Sequence, residues 1–479
     1  MNHKIIGRKG ELEALNEAYA SGSPELIALY GRRRIGKTFL IRQHFGDRIC
    51  IEITGLQNGD TQQQLINFQL AISRYFPNYE SKSGKLPRKW LEAFFQLSQV
   101  LESELPNQRK VIFLDEIPWM GNGKTEFITA LGWFWNSWAS KENIVLVICG
   151  SAASWMIKKV INDRGGLHNR VTRLIQLKPF SLTETKAFCE SKKINLSPFQ
   201  ILQIYMAIGG VPMYLNQLKS GLSAVQNIQL LCFDRQGYLR DEFDRLFASL
   251  FFKHERHVEI VKILAENRLG LNRETIIKKS SFTNGGGLTS VLTELEESSF
   301  ISAYANYGKK KKGILYRLTD FYTQFYLSFI SKHKLKELSN FGQLSDLPTY
   351  HAWSGYTFEN VCLTHLDQIR KALGISVIYS EASAFFVRKS DELPGAQIDL
   401  VIDRRDQTIN LCEAKFSSEP FRTNKKFEEK MQQYKAIFRA NTKTKKQLFI
   451  TLISPYGLAQ NINSTDAVDQ VISMDDLFM

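Results

Sequence analysis

An apolar run, a basic loop and the start of a helix follow one another without interruption between Leu26 and Ile41. That order constrains the fold more than any other stretch of the chain. Gly31–Thr38, GRRRIGKT, fits G-x-x-x-x-G-K-[ST] at every fixed position. Such a loop wraps a polyphosphate with its backbone N–H groups, and glycine is needed where the chain passes too close to phosphate for a Cβ. Gly31, Arg32, Arg33, Arg34, Ile35, Gly36, Lys37 and Thr38 are therefore the candidate nucleotide contacts. Lys37 is expected at the β- and γ-phosphates, and the Thr38 hydroxyl at Mg²⁺. The helix that follows points its positive end at the anion. A Gly-rich surface turn is the plain alternative.

Lys110–Glu116, KVIFLDE, reads as a buried strand ending in two carboxylates. Behind a phosphate loop, Asp115 is placed to hold the water shell of Mg²⁺, and Glu116 to orient and deprotonate an attacking water. Two acids capping a strand would be the alternative. An intervening strand, Arg48–Thr54, and the adjacent glutamate are features of additional-strand ATPases rather than of kinases or small GTPases. A further buried strand, Asn143–Cys149, leads into Gly150 and Ser151. Ser151 is the candidate sensor of the γ-phosphate, or else Ser151 or Ser154 caps a helix. Between them, Trp133, Trp135 and Trp138 fall on one helical stretch and suit a core or an interdomain contact better than a base-stacking platform.

The rest of the composition bounds the surroundings. A chain of 479 residues accommodates two to four domains. Its formal charge of +14 favours a polyanionic partner, nucleic acid before membrane. Six scattered cysteines with no C-x-x-C pair suit a reducing compartment and argue against a zinc ribbon. No apolar signal region stands at the N-terminus, and no run reaches the roughly 18 apolar residues of a membrane span. A cytoplasmic protein without a membrane partner is expected.

FLDEIPWM (113–120), ICGSAASWM (148–156), HNRVTRLIQLKPFS (168–181) and IGGVPMYL (208–215) resemble prokaryotic AAA+ ATPases of the archaeal-ATPase type. The likeness is to multidomain signalling ATPases more than to ring unfoldases, and it covers about residues 1–245. It implies a parallel αβα sheet, a small helical lid, and ATP with Mg²⁺ as ligands. Lys37 and Thr38 match the phosphate loop, and Asp115 and Glu116 the metal and base positions. Arg170 and Arg173 match an arginine pair, one of which would act as a finger in cis or toward a neighbour; a salt-bridged strand edge is the alternative. Gly209, Gly210 and Pro212 match a lid motif that packs on adenine. Gly7 and Arg8 match the lead-in segment beside the base.

Beyond the lid, HVEIVKILAENR, RETIIKKS and GGGLTSVLTELEESS read as three helices. FISAYANY and GILYRLTD read as strands joined by Gly308, Lys309–Lys312 and Gly313. Three helices and a basic hairpin make a winged helix, whose lysine tip would touch DNA phosphates. Glu294, Glu296 and Glu297 on the third helix oppose DNA on that face, so a purely packing role stays open.

The last 130 residues carry a second constellation. Trp353–Leu373 reads as a helix containing Glu359, and Ser376–Tyr379 as a strand. QIDLVI (397–402) and INLCEAK (409–415) are further strands carrying Asp399, Glu413 and Lys415, followed by a helix, Lys425–Phe438, and a strand, Gln447–Ile453. This order resembles the PD-(D/E)xK nuclease fold. Acids from two adjacent strands, Asp399 and Glu413, can share one Mg²⁺, with Glu359 completing its shell. Strand alternation puts Lys415 on the face of Glu413, where it can position a water and offset phosphate charge. Two departures stand out: Gln397-Ile398 where a proline is usual, and adjacent Gln433 and Tyr434 in the helix. A nuclease-like fold kept as a binding scaffold is the alternative.

The sequence thus predicts an α/β chain. Its parts are a P-loop AAA+ core at 1–180, a helical lid at 181–250, a winged helix at 251–338 and a restriction-endonuclease-like domain at 350–479. The expected function is ATP hydrolysis coupled to a DNA-directed, Mg²⁺-dependent nuclease. A non-cleaving ATP switch that binds DNA or a protein partner, itself included, is the other reading.

Overall fold

The computed structural model describes residues 4–78, 86–106, 108–121, 126–162, 165–251, 253–308, 313–333, 341–387, 395–459 and 467–479. Contacts divide the chain into two compact units. The first is Met1–Pro179 with Ser249–Phe252 and Thr293–Ser299; the second is Phe180–Ala248, Lys253–Leu292 and Phe300–Met479. Among the described residues, no helix is long and apolar enough to cross a membrane.

The first unit is built on a parallel five-stranded sheet. Its strands are β1 (Glu25–Tyr30), β2 (Ile49–Thr54), β3 (Lys110–Asp115), β4 (Ile144–Gly150) and β5 (Arg173–Gln176). They lie in the order β2-β3-β4-β1-β5 and pair in parallel throughout. The three central strands are buried at every residue, which is why their interiors read as apolar runs. Side chains of β1 alternate between two cores. Leu26, Ala28 and Tyr30 face the core filled by the helices Thr61–Tyr75, Trp90–Glu104 and Glu126–Ser137. Trp135 is buried in it, and Trp133 and Trp138 pack against it. Ile27 and Leu29 face the core of the helices Lys9–Ala20 and Lys37–Phe45. Two apolar layers on a twisted parallel sheet make the αβα sandwich expected from the sequence. β4 is inserted between β1 and β3, so the phosphate loop and the acidic strand sit one strand apart.

In the second unit, residues after Phe180 begin with a helical segment. Ser181 caps the helix Leu182–Ser191 through a reciprocal box with Glu184. Ser197 caps Pro198–Ile208, with Pro198 in its first turn. Gly210 follows, and only glycine fits there: a Cβ would lie 2.0 Å from the Phe180 carbonyl oxygen.

The middle segment contributes the helices Glu255–Ala265 and Arg273–Lys279 and a small antiparallel sheet. Its strands are β6 (Leu271–Asn272), β7 (Ile301–Ala305) and β8 (Ile314–Leu318), in the order β6-β8-β7. The expected lysine tip, Lys309–Lys312, lies outside the described residues.

The C-terminal sheet has five strands: β9 (Ser380–Val387), β10 (Ala396–Arg404), β11 (Thr408–Ala414), β12 (Gln447–Ile453) and β13 (Gln470–Ile472). Their order is β13-β12-β11-β10-β9, with β9-β10-β11 antiparallel and β11-β12-β13 parallel. The helix Lys425–Thr442 covers it, burying Phe427, Met431, Ile437 and Phe438 against Ile409, Leu411 and Ile450.

Two expectations are corrected here. Ser376–Tyr379 is a turn, with Val377 96% exposed, and the strand starts at Ser380. The helix read over Trp353–Leu373 is two helices, Pro348–Thr364 and Leu366–Ala372, broken at His365. The His365 imidazole explains the break. Nδ1 donates to the Val361 carbonyl at 2.8 Å, and Nε2 accepts the otherwise unpaired Leu182 amide at 3.0 Å.

Candidate functional site

The phosphate loop leaves β1 at Gly31, whose φ is 146°. A side chain there would put Cβ 2.3 Å from the Leu177 carbonyl oxygen, so glycine is required for packing as well as for backbone shape. Arg34 and Gly36 also hold positive φ, at 71° and 90°, which curls the loop before the helix. Lys37 opens that helix and is buried. Its ammonium folds back to donate to the carbonyls of Gly31 at 2.9 Å and Arg32 at 3.0 Å. A cation held by the loop's own oxygens is placed to exchange them for phosphate oxygens.

Thr38 reaches past β4 to the neighbouring strand: its hydroxyl donates to Asp115 Oδ2 at 2.7 Å. Burial raises the Asp115 carboxyl above its ordinary range, and the Thr38 hydrogen bond opposes that shift. The pair offers two hard oxygens side by side, which fits Mg²⁺ and its water shell.

Glu116 follows with φ of 50°, an uncommon conformation for a residue with a Cβ. This turn directs its carboxylate to the end of β4, where Oε2 accepts from the Ser151 amide at 3.0 Å and hydroxyl at 2.8 Å. The helix Ala153–Met156 begins without a side-chain cap, so the alternative role for Ser151 is not realised.

Arg8, itself at φ of 58°, clamps the loop from outside. One guanidinium nitrogen donates to the Lys178 carbonyl at 2.7 Å and the other to Ile35 at 3.3 Å. Gly7 precedes it with φ of 64°. Arg33 stacks over the Trp119 ring, 5.1 Å from its centroid, and Arg32 is buried.

The arginine pair is divided. Arg170 is exposed on the turn before β5. Arg173 meets Glu17 at 2.9 Å and Glu25 at 3.7 Å. It pairs in register with Ile27, three residues or roughly 10 Å before β1 reaches the loop. Arg173 thus stands at a salt-bridged strand edge, the alternative read from the sequence. Of the acids on the third middle helix, Glu294 is ion-paired to Lys158 at 3.0 Å within the first unit.

In the second unit, Gly210 accepts the Phe180 amide at its carbonyl at 2.7 Å, and Pro212 starts a short helix. Farther along, Leu400 pairs with Cys412 across β10 and β11. Asp399 and Glu413 are the next residues along these strands, and the charge of Glu413 reaches the Asp399 carboxyl. Glu413 Oε1 takes two ammoniums: Lys415 at 2.6 Å and Lys430 at 2.8 Å. Glu359 is bound by the buried Arg317 of β8 at 2.8 Å. Burial, with the nearby charges of Glu359 and Glu413, lifts the Asp399 carboxyl to about 8. Burial also raises Glu359, against the pull of Arg317.

The four residues singled out from sequence thus share one electrostatic neighbourhood. Among the described residues, though, no three His, Cys, Asp or Glu side chains are arranged to hold a metal ion. Glu359 and Glu413 are turned to cations instead. Lys430 and Arg317 are the residues missed. The helical spacing of Phe427, Met431 and Phe438 fixes which face of Lys425–Thr442 meets the sheet, and it could have located Lys430. No comparable signal marks Arg317.

Residues 6–218 match a family of ATPase domains found predominantly in Archaea. An uncharacterised protein of Methanocaldococcus jannaschii is 25% identical over 417 residues, which covers 86% of this chain and 87% of that protein. Among solved structures, the Walker-type ATPase of Pyrococcus abyssi is similar over 67% of this chain and 96% of its own, at 18% identity and a TM-score of 0.48. The ORC2 protein of Aeropyrum pernix is similar over 69% of this chain and 94% of its own, at 15% identity and a TM-score of 0.43. The family match supports ATP binding and hydrolysis by the first unit, with Mg²⁺ usual for such ATPases.

Proposed function

We infer that this protein is an AAA+ ATPase that controls a DNA-directed, metal-dependent nuclease domain at its C-terminus. The observation that carries the ATPase half is the set Lys37, Thr38, Asp115, Glu116 and Ser151, brought together at the C-terminal ends of β1, β3 and β4. Lys37 binds the β- and γ-phosphates. Thr38 and Asp115 would hold Mg²⁺, which supplies charge neutralisation at the phosphates. Glu116 leaves Ser151 to orient and deprotonate water once a γ-phosphate engages the serine. Gly7 and Arg8 of the first unit would lie beside the base. Arg170, exposed, is the residue to reach a neighbouring copy.

The nuclease half is supported by Asp399 and Glu413 lying on adjacent strands close enough for their charges to interact, with Lys415 two residues on. Among the described residues these acids are not arranged to hold a metal ion, so Mg²⁺ would require Glu413 to give up its two lysine contacts. Glu359 would join them on release from Arg317. Lys415 then positions a water and offsets charge on the phosphate. The order of helices and strands from Glu255 to Leu318 supports a winged helix, with Lys309–Lys312 as its phosphate contact.

The test pairs Mn²⁺ titration with nicking and cutting assays on the whole protein, with and without ATP. Asp399→Ala and Glu413→Ala should lose the metal of the C-terminal domain, whereas Lys415→Ala should keep it and lose cleavage. Wild-type protein that binds metal but cuts neither DNA nor RNA would favour the non-cleaving switch.

A further inference from the structure

We propose that Gln64 is a positioning residue for ATP hydrolysis, holding Glu116 in place without itself touching the nucleotide. The inference rests on the reading of Glu116 as the residue that handles water, and it adds a residue to that site.

Gln64 stands one turn into the helix Thr61–Tyr75. Asp60 fixes the start of that helix through a reciprocal box. Its carboxylate accepts the Gln63 amide at 2.8 Å, and the Gln63 side chain accepts the Asp60 amide at 2.9 Å. Leu65, Phe68 and Ile72 then seat the helix in the core. Gln64 is left 1% exposed, facing the loop that follows β2. Its Oε1 accepts the Leu56 amide at 2.9 Å. Its Nε2 donates to the carbonyls of Leu56 at 2.6 Å, Trp119 at 3.2 Å and Gly59 at 3.4 Å. The reversed amide would turn its oxygen to three carbonyls, so only one orientation is satisfied.

The Trp119 contact is the one that reaches the ATPase site. Glu116 and Trp119 are the ends of one tight turn, closed by the Trp119 amide on the Glu116 carbonyl at 2.9 Å. At the first end, the Gly55 amide donates to the Asp115 carbonyl at 2.9 Å, and a Cβ on Gly55 would lie 2.7 Å from the Glu116 carbonyl oxygen. At the other end, Gln64 holds the Trp119 carbonyl, and Arg33 of the phosphate loop stacks on the Trp119 ring. Between these anchors Glu116 keeps its φ of 50°. A residue with a Cβ stays in that region only where its surroundings over-determine it. The direction of the carboxylate toward Ser151 follows from that backbone. Closing the loop after β2 accounts for the bonds to Leu56 and Gly59. It does not account for the bond to Trp119, which ties that loop to the turn after β3.

Loss of the Gln64 amide frees the Trp119 end of the turn, and Glu116 relaxes toward an ordinary φ. Lys37 and Thr38 make none of these contacts. The defect is therefore expected in turnover and not in ATP affinity.

The experiment measures ATP affinity by calorimetry, and phosphate release, on full-length wild type, Gln64→Met, Glu116→Gln and the double variant. Gln64→Met keeps the length of the side chain and removes its donors. It is expected to bind ATP within about twofold of wild type and to turn over about tenfold more slowly. In the Glu116→Gln background the same change should slow release no further, because the residue it positions is already disabled. Gly55→Ala, whose Cβ pushes on the Glu116 carbonyl from the other anchor, should give the same split and replaces Gln64→Met if the latter fails to fold. Wild-type turnover in the folded variant overturns the proposal. So do equal losses of affinity and turnover, or a full further loss on top of Glu116→Gln. Glu116→Gln that hydrolyses ATP as wild type does would remove the reading of Glu116 itself, and the proposal with it.

Discussion

Glu116 and Ser151 are joined twice through one oxygen: Glu116 Oε2 accepts the Ser151 amide at 3.0 Å and the Ser151 hydroxyl at 2.8 Å. The acid expected to handle water is thereby tied to the residue at the end of the central strand. Only the hydroxyl half of that tie depends on the side chain. Ser151→Ala should therefore leave ATP affinity near wild type and lower turnover about tenfold, or about 1.4 kcal/mol in the barrier. Steady-state ATPase kinetics check this. Turnover equal to wild type would leave the serine without a part in hydrolysis.

His365 supplies the pH dependence. Burial drives its pKa down to about 4, and the backbone bond to Val361 opposes that only in part. The folded state therefore binds fewer protons than the unfolded state between the two values. The contribution is complete above about 6.5 and is lost as pH falls toward 4, amounting to about 3 kcal/mol. His365→Gln can keep both hydrogen bonds without titrating. Its melting temperature should fall less steeply than that of wild type between pH 7 and pH 4.

Arg317 and Glu359 form a largely buried pair, with side chains 5% and 17% exposed. Removing one partner strands the other charge. Arg317→Leu should destabilise the second unit by about 3 kcal/mol, and adding Glu359→Leu should recover most of the loss. Denaturant unfolding of the single and double variants measures it. A single variant as stable as wild type would show that solvent reaches Glu359.

Gly210 tests the lid. Its Cβ would fall 2.0 Å from the Phe180 carbonyl oxygen, a backbone atom that cannot swing aside. Gly210→Ala should lower the melting temperature by several degrees, in line with a steric cost of about 2 kcal/mol. A melting curve that superimposes on wild type would mean that the two segments part easily.

The nucleotide site was readable in sequence because its chemistry fixes residue types at short spacing: Lys37 and Thr38 close one loop, and Asp115 and Glu116 end one strand. β1, β3 and β4 were readable because burial on both faces leaves their interiors apolar, with Glu25, Lys110 and Asp115 only at strand ends. Contacts made by residues far apart in the chain were not. Arg173 has the sequence neighbourhood of a finger, but its register beside Ile27 sends it to Glu17 and Glu25. Lys430 and Arg317 reach Glu413 and Glu359 only through tertiary packing. Ser376–Tyr379 has strand propensity in Val377 and Ile378, but the chain turns at Ser376 and Val377, and Val377 is left in water.

The central claim is that the first unit binds ATP through Lys37 and hydrolyses it through Glu116. The most direct measurement is calorimetric ATP titration with Mg²⁺, alongside phosphate release, on wild type, Lys37→Ala and Glu116→Gln. Lys37→Ala should lose ATP affinity at least tenfold, the equivalent of about 1.4 kcal/mol or more. Glu116→Gln should bind ATP as wild type does and release phosphate at least a hundredfold more slowly. Equal ATP affinity in Lys37→Ala and wild type, or undiminished phosphate release in Glu116→Gln, would contradict the account.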